Sequence, residues 1–309
     1  MFCLVTTVFV WSGEEPAIRL VLKRSLSHNN AVYWAAFSKD GNKLATASLD
    51  NTVKLWNVAD GKHVGTLKGH GDGVAFVGFL PDETMATASL DRSLKLWSAD
   101  GKATQTFTGH QDYLSCAALS NTGALLASGG FDKTVRLWST KDGAVATFTG
   151  HTGNVQSLAI SPNEKIVASG SDDRTIRLWD VQAKKLLRTL DGHNLTVDVL
   201  AFSPKEHVLA SGSGDGTIRL WNLEGKPIAT IGKGPIGIKS LAFSPDGRLL
   251  AAGGTDGKIR LVSIPDRREI LKIPAHKNSV YCVTFNPAGT LLASTGFDNA
   301  IHVWEVRGK

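Results

Sequence analysis

An aspartate and a tryptophan six residues apart recur down this 309-residue chain at a spacing that an unrepeated fold would not keep. The tryptophans are Trp56, Trp97, Trp138, Trp179, Trp221 and Trp304, with Val262 in the one gap, in steps of 41, 41, 41, 42, 41 and 42 residues. The aspartates, Asp50, Asp91, Asp132, Asp173, Asp215, Asp256 and Asp298, are present every time. Between Asp and Trp the chain alternates, as in TVKLW and TVRLW, which is the period of a packed strand. A second strand such as KLATAS or IVASGS precedes the Asp, joined through a tight turn in which an Asp side chain can bond its own backbone. Upstream come an apolar strand like VQSLAISP and a short strand ending in Gly-His. Length alone would suggest two domains; seven copies of one four-stranded unit override that prior.

Such a unit cannot bury both faces by itself, but seven placed radially stack face to face and close into a ring with only short outer edges. The prediction is all-β: a seven-bladed β-propeller over residues 13–309 with four antiparallel strands per blade. The 32 glycines agree, since they favour many tight turns over long helices. The last period, residues 279–306, supplies only three strands. Residues 18–27, IRLVLKRSLS, lead into His28 as the other outer strands lead into their Gly-His, and are predicted to be the missing fourth. Residues 1–12 are apolar and strand-like, but no Asp stands six before Trp11. A fifth strand in the closing blade, the tail of a further repeat, and a signal-like segment all fit them.

Gly-His early and Trp late in a repeat of this length resemble the WD-repeat family, over residues 18–309. The resemblance implies a buried structural tetrad in each blade. By position the sets are His28, Thr46, Asp50 and Trp56; His70, Thr87, Asp91 and Trp97; His110, Ser128, Asp132 and Trp138. They continue with His151, Ser169, Asp173 and Trp179; His193, Ser211, Asp215 and Trp221; and His276, Ser294, Asp298 and Trp304. The sixth blade keeps Asp256 but has Gly234, Ala252 and Val262 elsewhere, and is expected to be the least stable. His, hydroxyl and Asp at one spacing six times over argue for structure, because a hydrolytic triad is one geometry in one pocket.

Other chemistry is scarce. Cys3, Cys116 and Cys282 are odd in number and lack ligand-like spacing, so neither disulfides nor a metal site are expected, and a reducing, cytoplasmic setting is. No run of 18 apolar residues marks a membrane span. The net charge of +6 is diffuse, without a block of five or six basic residues, so nucleic acid is not the expected partner. There is no P-loop, HExxH or nucleophile elbow, and GSGDG at residues 212–216 is a repeat-locked turn. No catalytic residue and no cofactor are expected. The third-strand cations Lys54, Lys95, Arg136, Arg177, Arg219 and Arg260, with His302 in the seventh blade, read as stems packed between blades with solvated heads.

Function belongs where the blades differ. The resemblance implies docking on the narrower face, at the third and fifth residues after the Gly-His histidine and at the residue before the turn Asp. There, blades seven, one, two and three carry Tyr281, Phe297, Tyr33, Leu49, Leu90, Tyr113 and Phe131, an aromatic crescent. Blades four to six turn polar, with Asn154, Gln156, Asp172, Thr196, Asp198 and Lys239. The expected partner of this monomeric propeller, alone or as a module of something larger, is a protein or peptide with apolar anchors and a basic residue for Asp172 or Asp198. Leu49, Leu90, Phe131 and Phe297 also fit a second reading, a cap covering the turns. RNA or other phosphate-bearing partners on a basic rim (Lys23 and Arg24 near Arg267 and Arg268, and Lys184, Lys185 and Arg188) are the alternative. Charged outer strands that block edge-to-edge aggregation explain the same rim more plainly.

Overall fold

The computed structural model describes residues 18–205, 207–232 and 234–308. These form seven four-stranded antiparallel sheets, and no helix occurs among them. In the first blade the inner, second, third and outer strands are Val32–Phe37, Lys43–Ser48, Thr52–Asn57 and His63–Lys68. Blades two to six repeat that order over residues 74–107, 114–148, 155–190, 197–231 and 238–274.

The seventh blade takes three strands from residues 280–307 and its outer strand, Arg19–Ser27, from the other end of the described chain. Arg19 pairs with Arg307 and Ser27 with Ala300, with a bulge between Leu22 and Arg24. The expected closing strand is therefore in place. The reading of residues 1–12 lies outside the described residues.

The core consists of seven apolar clusters, each spanning one blade-to-blade interface. Between blades two and three, for example, Phe76, Leu94 and Phe107 meet Leu114, Leu126 and Trp138. Between blades seven and one, Cys282, Ile301 and Val303 meet Val32, Leu44 and Trp56. Small second-strand residues set how close the blades come. A Cβ on Gly129 or Gly212 would stand 2.6 Å from Val155 or Ile238 of the following blade. Stacked sheets with alternating side chains explain why the sequence reads with period two everywhere except at the turns.

Candidate functional site

Each turn is built by its aspartate. Asp50 accepts the Thr52 N–H at 3.1 Å, and Asp173 and Asp215 accept those of Thr175 and Thr217 at 2.9 Å. The second carboxylate oxygen reaches the loop that leads into the inner strand. There the Nδ1 of His28, His70, His110, His151, His193 and His276 lies 2.7 to 3.0 Å from its aspartate. On the far side of each ring, Nε2 lies 2.7 to 2.9 Å from Thr46, Thr87, Ser128, Ser169, Ser211 or Ser294. The same hydroxyl oxygen accepts the indole N–H of Trp56, Trp97, Trp138, Trp179, Trp221 or Trp304 at 2.8 to 2.9 Å. All six predicted sets are thus assembled as a chain of donors from indole to hydroxyl to imidazole to carboxylate.

The electrostatics fit that chain. Burial lowers the pKa of His28, His110, His151, His193 and His276 below the ordinary value, against the pull of the paired aspartate. Burial alone would raise the aspartates, but their hydrogen bonds outweigh it, holding Asp173 and Asp215 at about 2. A neutral imidazole that donates from Nδ1 and accepts at Nε2 satisfies every partner. With all its polar atoms engaged, each set is a structural tie between turn, loop and third strand.

The sixth blade is tied differently. The Arg260 guanidinium grips Asp256 with both terminal nitrogens, at 3.0 and 2.7 Å, and its Nε lies 3.6 Å from Glu269. Arg260 is only 7% exposed. The solvated head expected at this position is therefore wrong here. In two of the blades that keep the tryptophan the cation covers its ring, Arg219 over Trp221 at 6.0 Å and Lys54 over Trp56 at 5.8 Å. Val262 offers no such ring, and Gly254, where a Cβ would meet Arg260 at 2.6 Å, leaves the guanidinium room to fold inward. In the seventh blade the His302 ring lies tilted against that of His276, 4.7 Å away, and burial together with His276 lowers it to about 4.

The residues expected to bind a partner converge on the face that carries the turns. In every blade the residue before the turn Asp donates its N–H to the carbonyl of the third residue after the Gly-His position, for example Leu49 to Ala31, Phe131 to Tyr113, Asp172 to Asn154 and Phe297 to Ser279. The fifth residues, Tyr33, Ala75, Ser115, Gln156, Asp198, Lys239 and Tyr281, contribute one side chain per blade to a central cavity of about 230 Å³. Leu49, Leu90 and Phe131 border it as well. Tyr33 and Tyr281 stack at 4.7 Å, Phe297 meets Tyr281 edge-on at 5.9 Å, and Tyr113 meets Phe131 edge-on at 6.1 Å. The crescent is therefore two aromatic groups joined through Leu49 and Leu90.

Its members differ in exposure. Tyr113 (49%), Phe131 (38%) and Phe297 (47%) are open to solvent. Leu49 and Leu90 are half-buried, and a Cβ on Gly73 would stand 2.4 Å from Leu49 and 3.3 Å from Leu90. The capping reading suits the two leucines and not the two phenylalanines. On the polar arc Asp198 already has a partner, the Lys239 ammonium at 2.9 Å, while Asp172 accepts the Gln156 amide at 2.9 Å. Sequence reasoning missed two contributors. Trp34 lines the cavity from the position after Tyr33, and Leu195, 51% exposed, sits in the loop leading into the fifth blade.

The rim is partly neutralised: Lys23 pairs with Glu305 at 3.1 Å and Arg24 donates to the Ala59 carbonyl at 2.6 Å. Among the described residues no three His, Cys, Asp or Glu side chains are grouped to hold a metal ion, and no helix is long and apolar enough to cross a membrane.

The repeat is also found in known proteins. Residues 20–57, 61–98 and 101–139 each match the WD domain, G-beta repeat, and residues 140–309 match the IFT122 first beta-propeller. Protein tipD of Dictyostelium discoideum is 33% identical over 103 residues, 33% of this chain and 17% of that protein. Denticleless protein homolog B of Xenopus laevis is 48% identical over 52 residues, 17% of this chain and 7% of its own length. Apoptotic protease-activating factor 1 of Rattus norvegicus is 34% identical over 111 residues, 33% of this chain and 9% of that protein. The chain thus matches less than a fifth of the length of each of these relatives. With one propeller match running from residue 140 to 309 and three repeats filling residues 20–139, the chain belongs to the WD-repeat β-propeller family.

Proposed function

We propose that this propeller is a non-catalytic platform whose turn-bearing face docks a peptide or protein partner. The observation that carries the reading is the exposure of Tyr113, Phe131 and Phe297 on one face, around a cavity walled by Tyr33 and Tyr281. Large aromatic side chains left in water on a folded, otherwise well-packed molecule mark interaction sites, because burying them against a partner recovers apolar area. The relatives are proteins in which the matching stretch is a minor part, consistent with a module that presents a surface inside larger machinery. The six tetrad histidines offer no competing chemistry, since each is spent on its aspartate and hydroxyl, and burial pushes the Cys282 thiol up to about 12. A cytoplasmic setting suits a chain whose buried cysteine is unpaired.

The test is affinity capture from source lysate with the wild type and with a Tyr33→Ala, Tyr113→Ala, Tyr281→Ala variant whose melt shows it folded. Partners retained by the wild type and lost by the variant support the reading. Equal capture by both overturns it and turns attention to the rim, where binding would fall steeply with salt.

A further inference from the structure

We propose that the central cavity is a subsite for one basic side chain of the docked partner, an arginine or a lysine, and that Lys239 holds its place in the unbound protein. This rests on the docking face proposed above and specifies what that face recognises. The cavity is at the small end of ligand sites, so it admits a single large side chain rather than a folded element.

Its two walls suit a cation. On one side stand Asp198 and, through Gln156, Asp172; against these two carboxylates the arc supplies one ammonium, Lys239. Within the lining Asp198 and Lys239 offset each other, and Asp172 stands behind Gln156 as a further carboxylate. On the other side Tyr33 and Tyr281 offer aromatic surface, which attracts cations. Ser157 lines the same cavity with a buried Oγ that has no hydrogen-bond partner among the described residues.

The two halves of the ion pair are unequally fixed. The Asp198 side chain is 9% exposed and also accepts the Thr196 hydroxyl at 3.2 Å, whereas the Lys239 side chain is 34% exposed. The carboxylate is thus a fixed acceptor and the ammonium a movable occupant. An incoming guanidinium pairs with a carboxylate through two parallel hydrogen bonds, which an ammonium cannot match. Release of Lys239 leaves Asp198 paired rather than stranded, so the exchange avoids a buried bare charge.

The experiment titrates the protein at pH 7.5 and low salt with N-acetyl-arginine methylamide and with its neutral isostere, N-acetyl-citrulline methylamide, following the NMR signal of the Trp34 indole. The arginine probe should give a saturable shift and the citrulline probe none. Lys239→Met should bind the arginine probe at least threefold more tightly, and Asp198→Asn at least tenfold more weakly. Lys239→Gln guards against a variant that fails to fold. Equal responses to the two probes, or an Asp198→Asn protein that binds unchanged, overturn the subsite; a folded Lys239 variant that binds no tighter overturns the role of Lys239. If these fail while the triple tyrosine variant still loses its captured partners, the docking face stands and the subsite falls.

Discussion

Blades five and six share a fold and a turn aspartate but hold that aspartate in different ways. In the fifth, Asp215 takes a neutral imidazole at 3.0 Å, and the network runs on through Ser211 to Trp221. In the sixth, Asp256 takes a guanidinium from its own hairpin, four residues away, and the second strand has only Ala252 behind it. The fifth solution ties two strands, their turn and the loop before the inner strand together through side chains. The sixth ties one turn to its own third strand, reaches the outer strand at Glu269, and leaves the rest to apolar packing by Ile238, Leu250 and Val262. What the propeller requires, then, is a satisfied turn carboxylate, and the tetrad is one way to provide it.

The sharpest way to break this comparison is Arg260→Met. Leaving the largely buried Asp256 without its partner should cost about 3 kcal/mol or more, read as a drop in melting temperature. An unchanged melt would mean that the sixth blade needs no clamp. Next, Ser211→Ala should cost ~1–3 kcal/mol by urea unfolding, because both the Trp221 N–H and the His193 Nε2 lose their partner. Its reciprocal, Ala252→Ser, should bring no gain, since no indole or imidazole waits for the hydroxyl; a stabilised protein would show the two solutions to be interchangeable. Gly254→Ala should cost roughly 1–3 kcal/mol, because the new Cβ meets both Arg260 and Asp256 at 2.6 Å. His110→Ala should lower the melting temperature by a similar or smaller amount.

The gentlest probe is pH. His28, His110, His151, His193 and His276 have folded pKa values below the unfolded value of 6.5, so the unfolded chain binds more protons than the folded one as the pH falls past that value. Their contribution is complete above about 6.5 and declines as the pH drops toward the folded values. Asp256 is also depressed, with burial opposing and Arg260 prevailing, so its contribution is complete above 3.8 and is lost only in stronger acid. Hydrogen exchange at pH 7 and pH 5 should show protection falling more in blades one, three, four, five and seven than in the sixth. Uniform loss around the ring would remove the distinction.

The repeat made the ring, the blade boundaries and the six tetrads legible, because Asp, Trp and the alternating strand between them are local signals that recur. Strand Arg19–Ser27 was legible by subtraction, as the last period lacked a fourth strand. Arg260 was misread because its repeat position matched Arg219; only the missing indole at Val262 and the missing Cβ at Gly254 reveal that it turns inward. The face bearing the crescent was legible from two repeat offsets, but the state of each side chain was not. That Leu49 lies half-buried over Gly73 while Phe131 stands in water depends on residues of the neighbouring blade, in the first case a glycine 24 positions further along the chain. The Asp198–Lys239 pair joins residues 41 apart, on adjacent blades, and no local pattern announces it.

The shared seventh blade has a consequence for how the chain comes into being. Strand Arg19–Ser27 leaves the ribosome before the rest of the ring, yet its partner, residues 300–307, comes about 270 residues later. At ~5–20 residues per second, the early strand waits roughly 15 to 55 seconds with its ladder groups unpaired. Closing a loop of that length then costs about 5 kcal/mol of chain entropy before the last sheet can form, which makes ring closure the expected slow step of folding. During that interval the charges of Lys23 and Arg24, which later bind Glu305 and the Ala59 carbonyl, serve another purpose: they keep an open strand from pairing with the wrong neighbour.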